Sequence, residues 1–231
     1  MTIPYDALRA FRSKHVFNPW AEVDPLDATA SIAPAELGPG GRLARLKAHF
    51  ATTPKLVLVG EASGYQGCHF SGMPFTNERL LLEGAVPRVL AAARLTTRPR
   101  PWCEPSATVV WGTLRALGLA EQTVLWNAFA WHPFKPGDPY SNRAPTRAEL
   151  EAGREVLDGV LGAFARATVV AVGKVAERAL QELGRTPGAT VRHPSMGGAN
   201  EFRAGLAALA GKLGMRRAER RSVESARGRR R

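Results

Sequence analysis

The chain has 231 residues, 45% of them hydrophobic, and a formal net charge of +12 at pH 7. This composition is typical of one compact domain with short extensions. Its two cysteines, Cys68 and Cys103, are far apart, which excludes a disulfide-rich secreted scaffold and a cysteine-rich metal site. No apolar run is long enough to span a bilayer and the first residues form no secretory signal, so we expect a cytoplasmic protein with no membrane partner.

Half of the net positive charge lies in the last 16 residues, 216–231, which contain eight arginines and two glutamates. We predict that residues 215–231 form a basic disordered tail, because they are polar and almost free of apolar residues. A basic tail on a basic body indicates a polyanionic partner such as nucleic acid. The alternative is that genomic base composition favours arginine over lysine, and charge alone does not separate the two interpretations.

Residues 1–41 are rich in proline, glycine and acidic residues, and we predict an irregular N-terminal arm that Phe17 and Trp20 attach to the body. The hydrophobic patterns that follow predict a domain over residues 42–214. Its first half contains a helix over 42–50, a strand over 55–60, an amphipathic region over 78–95 interrupted at Pro87, a helix over 106–118 with Ser106 as N-cap, and a strand over 123–129.

The second half alternates helices and strands in the same way. Thr146 and Glu149 have the spacing of a capping box, so we predict a helix over 146–166. A strand over 168–173, a helix over 174–184, a strand over 189–193 and a helix over 201–213 follow. This alternation predicts parallel βαβ units and an α/β fold, a three-layer α/β/α sandwich with a central four-stranded parallel sheet.

Unusual loops follow three of the predicted strands. They read "GEASGYQGCHFSGMPF" after the first strand, "NAFAWHPF" at the end of the second and "HPSMGG" after the fourth. Ligands of open parallel sheets bind beyond the carboxyl ends of the strands. Three such loops at one sheet edge therefore predict a binding or catalytic site there.

The motifs "GEASG…GMPF", a strand ending in "WN", "NRAPTRAELEAGREVL", "VVAVGKVAERAL" and "RHPS" follow one another along residues 55–213. In this order the chain resembles the uracil-DNA glycosylase superfamily, most of all the family 4-like branch whose first motif reads glycine-glutamate-alanine-proline-glycine. The resemblance implies a monomeric, nucleoid-associated DNA repair enzyme that flips uracil out of DNA and hydrolyses its N-glycosidic bond. An abasic site would remain, since no lysine stands out as a Schiff-base nucleophile.

The resemblance also assigns the residues that hold the base. Phe75 matches the aromatic side chain on which a flipped base stacks. Asn127 matches the amide that accepts from N3–H and donates to O4, which discriminates against cytosine. His193 matches the donor aimed at O2, where negative charge develops as the base leaves. Each of these residues, taken alone, has a plain structural explanation; their order along one sheet edge favours the functional interpretation.

The first motif contains the residue that the resemblance assigns to the attack of water on the sugar. Glu61 matches the carboxylate that positions or deprotonates water, or stabilises a cationic sugar. Other branches use Asp or Asn one place later, where this chain has Ala62. The backbone of Gly60, Ala62 and Ser63 is expected to contact the base. Ser63 replaces the proline of the branch, so we expect a looser loop.

The remaining assignments concern DNA and cofactors. Met196 and Gly197 resemble the wedge loop that enters the minor groove, and Ser106 and Ser195 are candidate phosphate contacts. His132 is expected to be structural or to line the groove. Iron–sulfur members of the branch carry four cysteines, but this chain has Trp131 and Gly153 at two of these positions. We therefore expect no cluster, no other metal and no organic cofactor.

Two other functions stay open. The first is a damage-binding protein that recognises uracil or abasic DNA with little turnover. Ala62 and Ser63, which depart from the catalytic motifs of the superfamily, leave this hypothesis open. A related glycosylase for another base, such as hypoxanthine or a mismatched pyrimidine, is the other hypothesis, although Asn127 favours uracil. Branches that exclude thymine strictly have a tyrosine where this chain has Gly64, so we expect thymine exclusion to be weaker or to depend on another group. A nucleotide-binding enzyme is disfavoured, because no GxxxxGK[ST] or GxGxxG follows a predicted strand.

Overall fold

The computed structural model describes residues 2–28, 37–89, 91 and 93–215, and the predicted disordered tail beyond residue 215 lies outside this range. The helices are α1 Tyr5–Ala10, α2 Gly38–Phe50, α3 Cys68–Ser71, α4 Glu78–Leu82, α5 Pro105–Ala116, α6 Arg147–Ala152, α7 Arg154–Ala163, α8 Lys174–Glu182 and α9 Ala199–Lys212. The strands are β1 Val16–Phe17, β2 Leu56–Ala62, β3 Thr123–Phe129, β4 His132–Pro133, β5 Thr168–Val172 and β6 Ala189–Val191. In the part of the chain that the structure describes, no helix combines the length and apolarity needed to cross a membrane.

The central sheet has four parallel strands in the order β3-β2-β5-β6. Successive residues of β2 point to opposite faces, so Leu58 packs in the core with Trp111 of α5, whereas Val57 packs in a second core with Val160 of α7. Apolar layers on both faces explain why the strands read as nearly continuous hydrophobic runs. The predicted α/β/α sandwich with a four-stranded parallel sheet is confirmed.

Several predicted element bounds differ from the observed ones. The helix predicted over 146–166 is two helices, α6 and α7, which meet at Gly153. The predicted capping box is confirmed, because Glu149 N donates to Thr146 Oγ1 at 3.2 Å and Thr146 N donates to Glu149 Oε2 at 2.7 Å. Ser106 is not an N-cap; α5 begins at Pro105, whose ring presets the helical φ and whose missing N–H costs nothing at a helix start.

The N-terminal arm is more regular than its composition indicates. It contains α1, and β1 pairs antiparallel with β4. Trp20 Nε1 donates to Gly72 O at 3.1 Å, and the Phe17 ring stacks on His69 at 3.7 Å. The prediction that these two aromatic residues attach the arm to the body is confirmed. The arm therefore packs directly behind the loop that follows β2.

Candidate active site

A cleft of about 870 Å³ opens at the carboxyl edge of the sheet, where the loops after the strands meet the first turn of α5. Such a position is typical of ligand sites in parallel sheets. Ten of the residues expected from the sequence line it: Glu61, Ala62, Ser63, Phe75, Ser106, Asn127, His193, Ser195, Met196 and Gly197. Gly60 does not line the cleft but lies behind its wall.

Gly60 and Asn127 are partners across β2 and β3. A β-carbon on Gly60 would lie 2.5 Å from Phe75 Cε2 and 2.7 Å from the amide group of Asn127, so only glycine leaves room for both side chains. Phe75 has φ +50°, a conformation that costs a bulky residue about 1–3 kcal/mol. Its ring centroid lies 5.8 Å from that of His193. The backbone thus holds Phe75 in an unfavourable conformation that turns its ring toward the cleft.

Ser63 connects the loop after β2 to the residues after β3. Its hydroxyl donates to Ala130 O, and its N–H donates to Trp131 O at 3.3 Å. Asn127 is buried beside it: with the amide oxygen toward Ser63 N at 3.2 Å, the amide nitrogen donates to Trp126 O at 3.1 Å. Each amide atom keeps one further hydrogen-bonding position. The expectation of a looser loop is wrong, because serine supplies two hydrogen bonds that proline lacks.

His193 follows β6 and is partly buried. Ser195 N donates to Nδ1 at 3.2 Å and Ser195 Oγ lies 2.7 Å from the same atom, so Nδ1 is an acceptor and Nε2 carries the proton. Burial, and then the Arg192 charge, hold the pKa of His193 below its usual value of 6.5. The imidazole is therefore a neutral N–H donor at pH 7.

Glu61 ends β2 in a half-buried position, and burial raises the pKa of its carboxyl group. Its side chain has no hydrogen bond or ion pair within residues 2–28, 37–89, 91 and 93–215. A carboxyl group with unused lone pairs beside a cleft is available to bind and polarise water.

The loop after His193 projects outward. The Met196 side chain is 91% exposed at φ +52°, and Gly197 follows at φ +79°. A positive φ is uncommon for a residue other than glycine, so the backbone of this loop is constrained where it presents Met196 to solvent.

Sequence reasoning missed a polar and basic part of the cleft wall: Gln66, Glu104, Asn142, Arg143, Lys174 and Arg192. Lys174 begins α8 directly after β5, so the position of that strand end could have identified it. Asn142 accepts from Tyr65 N at 3.1 Å and would lie 3.4 Å from a β-carbon on Gly64. Asn142 therefore covers the position where strict thymine-excluding branches have tyrosine.

His132 lies outside the cleft, in a buried chain of hydrogen bonds. Its Nε2 lies 2.8 Å from Ser141 O, its Nδ1 lies 2.8 Å from His69 Nδ1, and His69 Nε2 lies 2.9 Å from Asp24 Oδ2. Burial is the main cause that lowers the pKa of His132 to about 3, so this imidazole is neutral at pH 7. The structural interpretation of His132 is confirmed.

The two positions at which the resemblance expects cysteine ligands do not fit an iron–sulfur cluster. A β-carbon on Gly153 would lie 3.3 Å from Trp131 Cζ3, and the Trp131 ring stacks on Phe11 at 3.8 Å. Aromatic packing by Phe11, which directly follows α1, therefore fills this space, and neither Trp131 nor Gly153 offers a thiolate. Among the residues that the structure describes, no three His, Cys, Asp or Glu side chains are grouped to hold a metal ion.

Comparisons with known proteins identify the fold and the family of the chain. The structure is similar to the crystal structure of wild-type SMUG2 from Pedobacter heparinus, with a TM-score of 0.52 and 16% identity over 70% of this chain and 76% of that chain. At this identity the similarity shows the fold. No curated protein matches the chain. The family model for the uracil DNA glycosylase superfamily matches residues 48–212, more than half of the sequence. The chain belongs to the uracil DNA glycosylase superfamily.

Proposed function

We propose that the protein is a monofunctional uracil-DNA glycosylase that hydrolyses the bond between uracil N1 and deoxyribose C1′. The observation that carries this proposal is the convergence of Phe75, Asn127, His193 and Glu61 on one cleft in a chain of this superfamily. The acting unit is the domain over residues 42–214, as a monomer associated with DNA in the cytoplasm.

The base would stack on Phe75, with its N3–H and O4 facing the free hydrogen-bonding positions of Asn127. The hydrogen bonds to Ser63 and Trp126 support this role, because they fix the plane of the amide before the base arrives. A preorganised amide discriminates between uracil and cytosine, since the wrong edge leaves buried polar atoms unpaired.

The leaving group requires charge stabilisation. As the C1′–N1 bond breaks, its electron pair passes to uracil and is shared with O2. The Nε2–H of neutral His193 donates to O2, and Ser195 keeps this tautomer by donating to Nδ1. A donor in a partly buried site stabilises this charge more than one in water does.

Glu61 would act on the sugar side. It binds a water molecule, which attacks C1′, and it accepts the proton that the water loses. The absence of a partner for its carboxyl group within the described ranges supports this role, because both oxygens stay available. The methyl side chain of Ala62 has no polar atom that could bind water or accept a proton.

The DNA contacts that we propose are Met196 and Gly197 as the minor-groove wedge and Ser106 and Ser195 at phosphates. The exposure of Met196 supports the first assignment, since an apolar wedge fills the gap left by a flipped nucleotide. The basic tail beyond residue 215 adds sequence-independent affinity for DNA.

The test uses an oligonucleotide with one uracil and measures base release by alkaline cleavage of the abasic product. We expect release by the wild type, a loss of about 100-fold or more in His193→Ala and a comparable loss in Glu61→Gln. Glu151→Gln is the matched control, since Glu151 is an exposed glutamate of α6 outside the cleft wall.

The same assay tests the alternatives. Absence of base release at enzyme excess and low salt, together with tight binding to the same oligonucleotide, would replace excision by damage binding. Ala62 is the observation that favours that second function. Release from hypoxanthine-containing DNA faster than from uracil DNA would make the protein a glycosylase for another deaminated base.

A further inference from the structure

Glu104 lines the cleft, yet the reaction proposed above does not use it. Its main chain is fixed, because its carbonyl accepts from Asn77 Nδ2 at 3.3 Å and from Thr108 N at 3.2 Å. Its carboxyl group packs against the backbone of Gly67, where a β-carbon would lie 3.1 Å from Glu104 Cδ and collide with Oε2. A glycine thus makes room for this carboxyl group.

The two buried glutamates of the described chain, Glu78 and Glu149, are fully paired, whereas Glu104 is partly buried. Glu78 accepts from Arg94 Nε at 2.7 Å, from Thr96 Oγ1 at 2.8 Å and from three backbone N–H groups. Glu149 pairs with Arg143 at 2.6 Å. In contrast, the Glu104 carboxyl group has no hydrogen bond or ion pair to any residue that the structure describes. A partly buried carboxyl group that has no partner in the wall of a cleft is available to a ligand, and groups with shifted pKa values are concentrated at functional sites.

Burial raises the pKa of Glu104 to about 7, so both protonation states are populated at neutral pH. Of the titratable groups in α3, Cys68 interacts with it: burial and, to a smaller extent, the Glu104 charge raise the pKa of the Cys68 thiol to about 12. His193, across the cleft, has a pKa below 6.5. Neither group changes charge between pH 7 and 8.5, and the other charged side chains of the cleft wall are Glu61, Arg143, Lys174 and Arg192.

We propose that Glu104 binds the DNA backbone in its neutral form, donating its carboxyl O–H to a phosphate oxygen beside Ser106. This inference rests on the DNA partner of the proposed function. Ser106 lies in the first turn of α5, where backbone N–H groups lack helical partners and favour an anion. An ionised carboxylate at the same place has no cation paired with it in the described structure and repels phosphate.

This contact couples DNA binding to a proton. Because the complex favours the neutral carboxyl group, DNA raises its pKa, and affinity falls as pH rises above 7. We would measure fluorescence anisotropy with a uracil-free duplex containing a stable abasic-site analogue, at fixed salt, from pH 6.5 to 8.5. The wild-type Kd should rise by up to about tenfold per pH unit above pH 7.

Two variants sharpen this test. Glu104→Gln stays neutral, so its Kd should be flat over this range and lower than that of the wild type at pH 8.5. The exposed control Glu151→Gln, outside the cleft wall, should keep the wild-type slope. A wild-type slope in Glu104→Gln overturns the inference, and so does a flat profile in the wild type.

A second measurement needs no variant. Calorimetric titration of wild-type protein with the same duplex at pH 7.5, in buffers of different ionisation enthalpy, should show net proton uptake. Zero uptake overturns the role of Glu104. Failure to bind DNA at any pH overturns the DNA partner itself. Proton-coupled binding without uracil release contradicts only the proposed excision, so the two proposals fail separately.

Discussion

The ring of Phe75 packs on the bare backbone of Gly60, where an added β-carbon would lie 2.5 Å from Phe75 Cε2. One glycine of β2 thereby sets the position of the proposed stacking surface. We expect Gly60→Ala to displace Phe75 and Asn127 together. Overpacking of this kind costs about 1–3 kcal/mol of stability, and a shift near 1 Å costs about 100-fold in rate.

The check on Gly60→Ala is single-turnover uracil excision together with urea unfolding. Gly112→Ala is the matched control, because a β-carbon at Gly112 of α5 would meet no atom within 4 Å. Unchanged excision in Gly60→Ala would contradict the packing argument.

The buried imidazole of His49 predicts acid sensitivity. Leu125 N donates to its Nε2 at 2.9 Å, and burial lowers its pKa to about 3. His49 has the higher pKa in the unfolded chain, which therefore binds the proton more readily. The contribution of neutral His49 to the free energy of unfolding is complete above about pH 6.5 and is lost as pH falls toward 3. Between these limits the free energy of unfolding should fall by about 1.4 kcal/mol per pH unit because of this group.

Urea unfolding at pH 7.5, 6.0 and 5.0 measures this slope. In His49→Gln the amide oxygen still accepts from Leu125 N but does not titrate, so the free energy of unfolding should depend less steeply on pH. Equal slopes in the two proteins would show that His49 is not responsible.

Asp24 terminates the hydrogen-bonded chain through His69 and His132, and it also accepts from Tyr140 Oη at 2.9 Å. Asp24→Ala leaves a buried imidazole unpaired and should cost about 3–5 kcal/mol. Asp24→Asn retains both roles, because the amide nitrogen donates to His69 Nε2 and the amide oxygen accepts from Tyr140. We expect the smaller loss in Asp24→Asn, and chemical denaturation of both variants decides the order.

Met196 should matter for duplex DNA and not for single strands, because only a duplex leaves a gap that a wedge fills. Burying a methionine side chain contributes about 1.5–3 kcal/mol of free energy. Met196→Ala loses most of this contribution in the duplex complex, so excision from duplex DNA should fall about tenfold or more. Parallel assays on single-stranded and duplex substrates test this difference. Equal losses on both substrates would exclude the wedge role.

Much of the site was predictable because its residues follow strands. Asn127 ends an apolar run and His193 follows another, and parallel strands bring their carboxyl ends to one edge. The arm was less predictable: proline and acidic residues indicate irregular structure, but the pairing of β1 with β4 depends on residues more than 100 positions apart. Local patterns carry no information about such contacts.

The amino-acid order by itself determined the parallel α/β fold and the cleft edge, because hydrophobic period and strand-end residues are local properties of the chain. The superfamily was predicted from the resemblance that its motifs carry in order along the chain. Tertiary structure alone decided the protonation and availability of the side chains. The Glu78 carboxylate is fully hydrogen-bonded, the Glu104 carboxyl group has no partner among the described residues, and Ser63 is hydrogen-bonded to Ala130 and Trp131. Each of these states depends on residues that are distant in sequence. Burial and hydrogen bonding, which shift pKa values, exist only once those distant segments have packed together.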